Sequence, residues 1–146
     1  MTYSPIVAPV VVLVAWSMLM MIWLYATRFP AMRRKGISLK GRVGTTGRAL
    51  DGVVEDQVQW KAHNYNHLME QPTLFYAVAI SLALIGAGHG INLWLAWAYV
   101  AFRILHSLIQ ATVNVVLWRF AAFALASFCL LGLTVHALVR VLHDLL

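Results

Sequence analysis

Apolar residues recur along the chain in four stretches long enough to cross a bilayer, which takes about 20 of them in a helix. They run from Pro5 to Thr27, Asn66 to Ala87, Ile91 to Leu117 and Phe120 to Val141. With their flanking turns they predict helices over residues 5–27, 64–87, 91–117 and 119–143. One long connection, 28–62, separates the first two, and only short turns separate the rest. The fold class that follows is an all-α integral membrane protein, a single membrane domain over residues 1–146 built as a bundle of four transmembrane helices.

Polar positions interrupt this pattern in an ordered way. The third stretch contains "RILHSLIQATVN", in which Arg103, His106, Gln110 and Asn114 are spaced three, four and four apart. On a helix that spacing stacks them into one polar stripe. The second stretch opens with "HNYNHLMEQPTLF", where His63, Asn66, His67 and Glu70 share one helical face. Glu70 and Arg103 are the opposite charges expected at comparable depth. An isolated ion in hydrocarbon is costly, so the two are expected to interact, within one chain or between neighbouring chains. Pro72 removes the backbone bond to Leu68 and is expected to kink the second helix.

Composition supports the membrane class: 62% of residues are hydrophobic and 11% charged, with a mean hydropathy of +0.77. The net charge of +6 adds an orientation. Arg28, Arg33, Arg34, Lys35, Lys40, Arg42, Arg48 and Lys61 all lie in the long connection, and a basic loop beside spans marks the cytoplasmic side. Both termini are then expected on the opposite side. Anionic lipid headgroups fit such a loop better than nucleic acid does. The first segment lacks an early Lys or Arg and is followed by "RFPAMRRK", so it reads as a retained helix and not a signal peptide.

Other features carry less chemistry. The glycine-rich "KGISLKGRVGTTGRALDGVV" has no lysine at phosphate-loop spacing and reads as a mobile surface loop. Cys129 stands alone, so no intrachain disulfide forms. His63 and His67 lack a third ligand, so no metal is expected. Trp94, Trp97 and Tyr99 are expected to belt the far membrane face, and Tyr25, Trp60 and Tyr65 the near one. His89, His136 and His143 read as solvated residues near the far face.

Four spans in about 150 residues, "NHLMEQPTLFYA" opening the second and "RILHSLIQA" within the third resemble the membrane-associated proteins in eicosanoid and glutathione metabolism (MAPEG). The resemblance covers essentially the whole chain. It implies a homotrimer with glutathione bound in a cytoplasm-facing pocket between subunits. In the family's enzymes the second span opens with an arginine, an asparagine four residues on, a glutamate three further and a phenylalanine five after that. Here Glu70 and Phe75 fit, while His67 stands at the asparagine position, with Asn66 one residue early, and His63 at the arginine position. In the third span Arg103 and His106 fit, and Gln110 replaces a tyrosine. Arg119, near the junction of spans three and four, matches an arginine that activates the thiol in some members.

The implied site therefore comprises His63, Asn66, His67, Glu70, Arg103, His106 and Gln110 for glutathione, with Arg119 as the catalytic residue. The implied function is a glutathione-dependent membrane transferase or peroxidase acting on hydrophobic electrophiles or lipid peroxides. The alternative is a non-catalytic lipid-binding or scaffolding protein that has kept the fold, so the residues leave open whether the protein is an enzyme. A transporter fits less well, because "INLWLAWAYVAF" offers the stripe no polar continuation. The expected location is a bacterial inner membrane, since the chain carries no endoplasmic-reticulum retrieval tail.

Overall fold

The computed structural model describes residues 3–145, apart from the side chain of residue 144. The expected placement of the two chain ends concerns residues outside that range. Among the described residues there is no strand. The elements are α1 (Val7–Arg34), a short 3-10 turn (Gly47–Leu50), α2 (Asp56–Leu68), α3 (Gln71–Leu84), α4 (Ile91–Ala111) and α5 (Val116–Leu145). The helices α1 and α5 are long and apolar enough to cross a membrane. At 1.5 Å per residue each runs to roughly 40 Å or more, beyond the ~30 Å hydrocarbon layer.

Each helix boundary has a local cause. α1 continues past the expected end at residue 27 and through Pro30, whose missing N–H falls at the exposed, basic end of the helix. It stops where Gly36 enters the left-handed region at φ 66° and Ile37 N–H donates to Met32 O at 2.9 Å. α4 ends by the same device, six residues before the expected 117. Asn114 takes φ 51°, and its N–H donates to Ile109 O at 2.7 Å. The single expected helix over 64–87 is instead two. α2 begins at Asp56, ahead of the expected start, and closes at Leu68; α3 starts at Gln71 with Pro72 in its first turn. Pro72 has no N–H to offer Leu68 O, which removes one bond across the gap, and it sits in the first turn of α3, where a proline is well tolerated.

α4 is the centre of the bundle, packing on α1, α2 and most extensively on α5, while α3 packs on α5 and α1. The main core gathers Ile6, Leu13, Phe75, Leu82, Tyr99 and Leu133 around the alanines 79, 96 and 126. Small residues let helix backbones approach, the usual packing device where lipid is the solvent. Gly132 serves the same end, since a Cβ there would lie 3.2 Å from Leu95 Cδ1. Tyr99, expected in the far aromatic belt, is fully buried and stacks on Phe75 with ring centroids 4.3 Å apart. The outward faces are apolar too, as with Trp94, Leu117, Phe128 and Leu131, which suits a helix surface facing lipid.

A second, smaller core ties the long connection to α1. Ala31 and Met32 from α1 pack with Leu50 and Val54 from the connection, and Ile37 and Val58 flank them. The expected mobile loop is thus docked over its second half. Polar bonds reinforce the dock: Arg28 Nη2 donates to Gln59 Oε1 at 2.8 Å, Gln59 Nε2 donates to Asp51 Oδ1, and His63 Nε2 lies 3.2 Å from that same oxygen. The Gln59 amide, with His63 and Arg48 behind it, holds the Asp51 carboxyl below the ordinary carboxylate range. A depressed folded value stabilises the docked loop fully above the unfolded carboxylate value, and that stabilisation is lost as pH falls through the folded value. Amide exchange of residues 47–54, corrected for intrinsic pH dependence, is therefore expected to stay flat from neutral pH down to about 4 and rise below it. The Asp51→Asn variant should show raised exchange throughout and no acid step.

Candidate functional site

The polar stripe of α4 is buried where α2 breaks. Arg103 is 0% exposed, His106 3%, Ser107 0% and Gln110 6%. Arg103 Nη2 donates at 3.0 Å to both His67 Nδ1 and His67 O. A guanidinium has only donors, so His67 Nδ1 must be the lone-pair nitrogen and Nε2 carries the ring proton. Arg103 also lies over the Phe123 ring, 5.8 Å from its centroid, a cation–π contact. Its Nε and Nη1 remain buried without partners.

The expected Glu70–Arg103 pair does not form within the chain. The helix break sets Glu70 at the N-terminal cap of α3 and leaves it exposed, while His67 takes Arg103. The break also removes Glu70 from the continuous helical face expected for it with His63, Asn66 and His67. His63 is exposed and bonded to Asp51. With Asn66 it lines a cleft of about 590 Å³ shared with Arg28, Arg48 and Tyr65. The expected glutathione residues therefore divide between a buried cluster under α4, an outer cleft beside the connection and, for Glu70, the exposed start of α3.

His106 joins α4 to α5. Its Nδ1 donates to Arg119 O at 2.8 Å, and its Nε2 lies 3.1 Å from Gln110 Oε1. The His67 and His106 rings are 4.7 Å apart. Asn114 lies beyond the helix and so leaves the predicted stripe, but its left-handed turn brings Oδ1 to Arg119, whose Nη1 donates to it at 2.6 Å. Arg103, His67, His106, Gln110, Asn114 and Arg119 thus form a continuous polar cluster running to the α4–α5 turn.

Several groups in this region were missed by reasoning from spacing. Ser107 Oγ accepts from Trp16 Nε1 at 3.0 Å and from Asn64 Nδ2 at 2.8 Å, joining α1, α2 and α4. Tyr99 lies one turn before Arg103, its hydroxyl 3.5 Å from Gln71 Oε1, and Gln71 Nε2 donates to Ser127 Oγ at 2.7 Å. Ser107 and Tyr99 are each four residues from Arg103, so helical periodicity alone carried that signal. At the other end His136, expected to be solvated, is half-buried with Nδ1 2.6 Å from Asn92 Oδ1.

These features define a helical membrane protein with a basic polar site at one end of its bundle. The MAPEG family model matches residues 6–139, and the chain belongs to that family of membrane proteins of glutathione and eicosanoid metabolism. No curated protein and no solved structure matches the chain.

Ser107→Ala is expected to leave the Trp16 and Asn64 donors without an acceptor, at about 1–3 kcal/mol. The measurement is the unfolding midpoint in mixed micelles, which should fall in Ser107→Ala and be largely kept in Ser107→Thr.

Proposed function

We propose that the protein is a glutathione-dependent transferase or peroxidase acting on hydrophobic electrophiles or lipid peroxides held in the membrane. The observation that carries this reading is the gathering of Arg103, His67, His106 and Arg119 in one cluster, with no ion pair to a carboxylate among the described residues. Such a cluster is suited to an anion. Glutathione supplies two carboxylates for the basic groups and an ammonium for the exposed Glu70. The site residues are His63, Asn66, His67, Glu70, Arg103, His106 and Gln110, completed by a neighbouring subunit of a homotrimer. The basic connection faces the cytoplasm, and the membrane is a bacterial inner membrane.

Arg119 has the catalytic role. A cation beside a thiol lowers its pKa and raises the thiolate fraction that attacks. In conjugation the thiol proton leaves to solvent and the thiolate forms a carbon–sulfur bond as the electrophile's leaving group departs with its electron pair or, at an activated alkene, as the π pair moves to the adjacent carbon and is protonated. In peroxide reduction two glutathione molecules give one disulfide, and the hydroperoxide becomes an alcohol and water.

A second reading, lipid binding or scaffolding without chemistry, draws on a specific observation. His67 and Gln110 stand where the family resemblance has an asparagine and a tyrosine, and each spends its side chain inside the chain, His67 on Arg103 and Gln110 beside His106. Calorimetry of glutathione with the purified protein in detergent separates the two. The enzyme reading expects saturable binding and thiolate absorbance that falls about tenfold or more in Arg119→Leu, with turnover of a hydrophobic electrophile lost in parallel. Absence of binding by folded wild type would leave the lipid-binding reading standing.

A further inference from the structure

A separate cleft lies between the basic end of α1 and the docked connection. Its volume is about 310 Å³, and Tyr25, Phe29, Met32, Ile37, Leu39 and Leu50 supply its apolar lining. That size falls at the lower end of the ~300–1,000 Å³ typical of small-molecule sites. Two arginines stand in its wall, Arg28 and Arg42. Among the described residues the Arg42 guanidinium has no hydrogen bond or ion pair, and Arg28 uses Nη2 alone, on Gln59 and Gly47, while its buried Nε has no partner.

The neighbouring acids are committed elsewhere. Asp51 is held by Gln59 and His63, and Glu55 lies 3.6 Å from Arg34. The cleft therefore combines an apolar wall with one cation, Arg42, that has no counter-charge and a second, Arg28, whose neighbouring acid Asp51 is shared with Gln59 and His63. In the chain segment that supplies Leu39 and Arg42 to its lining, Leu39 is 61% and Val43 96% exposed, with Lys40 and Arg42 between them in sequence. Apolar side chains interleaved with bases suit the headgroup boundary of a bilayer.

We propose that this cleft binds a single-chain anionic lipid, a fatty acid from the surrounding membrane, with its tail against Phe29, Met32, Ile37 and Leu39 and its carboxylate on Arg42 and Arg28. The volume admits one aliphatic chain better than two. A neutral head would leave Arg42 uncompensated and a zwitterionic phospholipid brings a second acyl chain, whereas a fatty-acid carboxylate accepts charge-assisted bonds from a guanidinium fork. Loading would brace the connection that also walls the outer cleft, since Tyr25, Arg28, Thr46 and Gly47 line both. The site does not depend on glutathione binding.

The test is photo-crosslinking with a diazirine-bearing palmitate in phosphatidylcholine nanodiscs, mapped by mass spectrometry. Label is expected to concentrate in residues 25–50, to be suppressed by excess palmitate and to resist excess hexadecanol. Arg42→Gln should weaken competition by palmitate about tenfold, the loss of one charge-assisted contact. Leu39→Trp, at an exposed position that fills the cleft, should remove the label while glutathione calorimetry stays as in wild type. Label spread over outward residues of α5 such as Phe128 and Leu131, or equal competition by hexadecanol, would overturn the proposal.

Discussion

A guanidinium buried in an apolar bundle sets the terms for the rest of this structure. Arg103 has no exposed surface, and an ion removed from water must find partners or be expelled. The chain meets that demand at Nη2 by ending α2 beside it, while Nε and Nη1 stay without partners. The end of a helix leaves backbone carbonyls without intrahelical donors, and Arg103 takes the one at His67 together with the ring of the same residue. Pro72 favours the interruption, because it cannot supply the N–H that would bond Leu68 O across it. A break in an arm of the bundle, costly in hydrocarbon on its own, is offset by the charge it serves.

The same economy extends toward the α4–α5 turn. Asn114 adopts a left-handed conformation that caps one helix with its N–H and holds Arg119 with its side chain. Arg119 in turn offers its carbonyl to His106. Capping, turn and site are therefore one hydrogen-bonded unit. Two of the residues that depart from the resemblance, His67 and Gln110, contact the stripe, while the third, His63, lies apart on Asp51.

Away from the buried cluster, a small core of Ala31, Met32, Leu50 and Val54 lets a basic, glycine-rich connection pack on α1. This packing creates two clefts at the basic end of the bundle. One is polar, with His63 and Asn66; the other is mostly apolar, with arginines in its wall.

Hydrophobic run length and helical spacing were enough to read the helical membrane class and the alignment of Arg103, His106 and Gln110, because each depends on neighbours within a few turns of one helix, while the family was legible as a resemblance of two motifs. The same information was insufficient for the partner of Arg103. Glu70 was the natural choice by charge, and His67 prevailed because Pro72 stops the helix and turns Glu70 outward. Tyr99 and His136 were misplaced for a related reason, since an aromatic or histidine near a span end reads as interfacial until a facing helix covers it. The chain alone therefore determined which residues are polar in an apolar setting and on which helical face they lie. Only the tertiary structure decided which of them meet, because meeting depends on where α2 and α4 are broken and on side chains brought from α1 and α5.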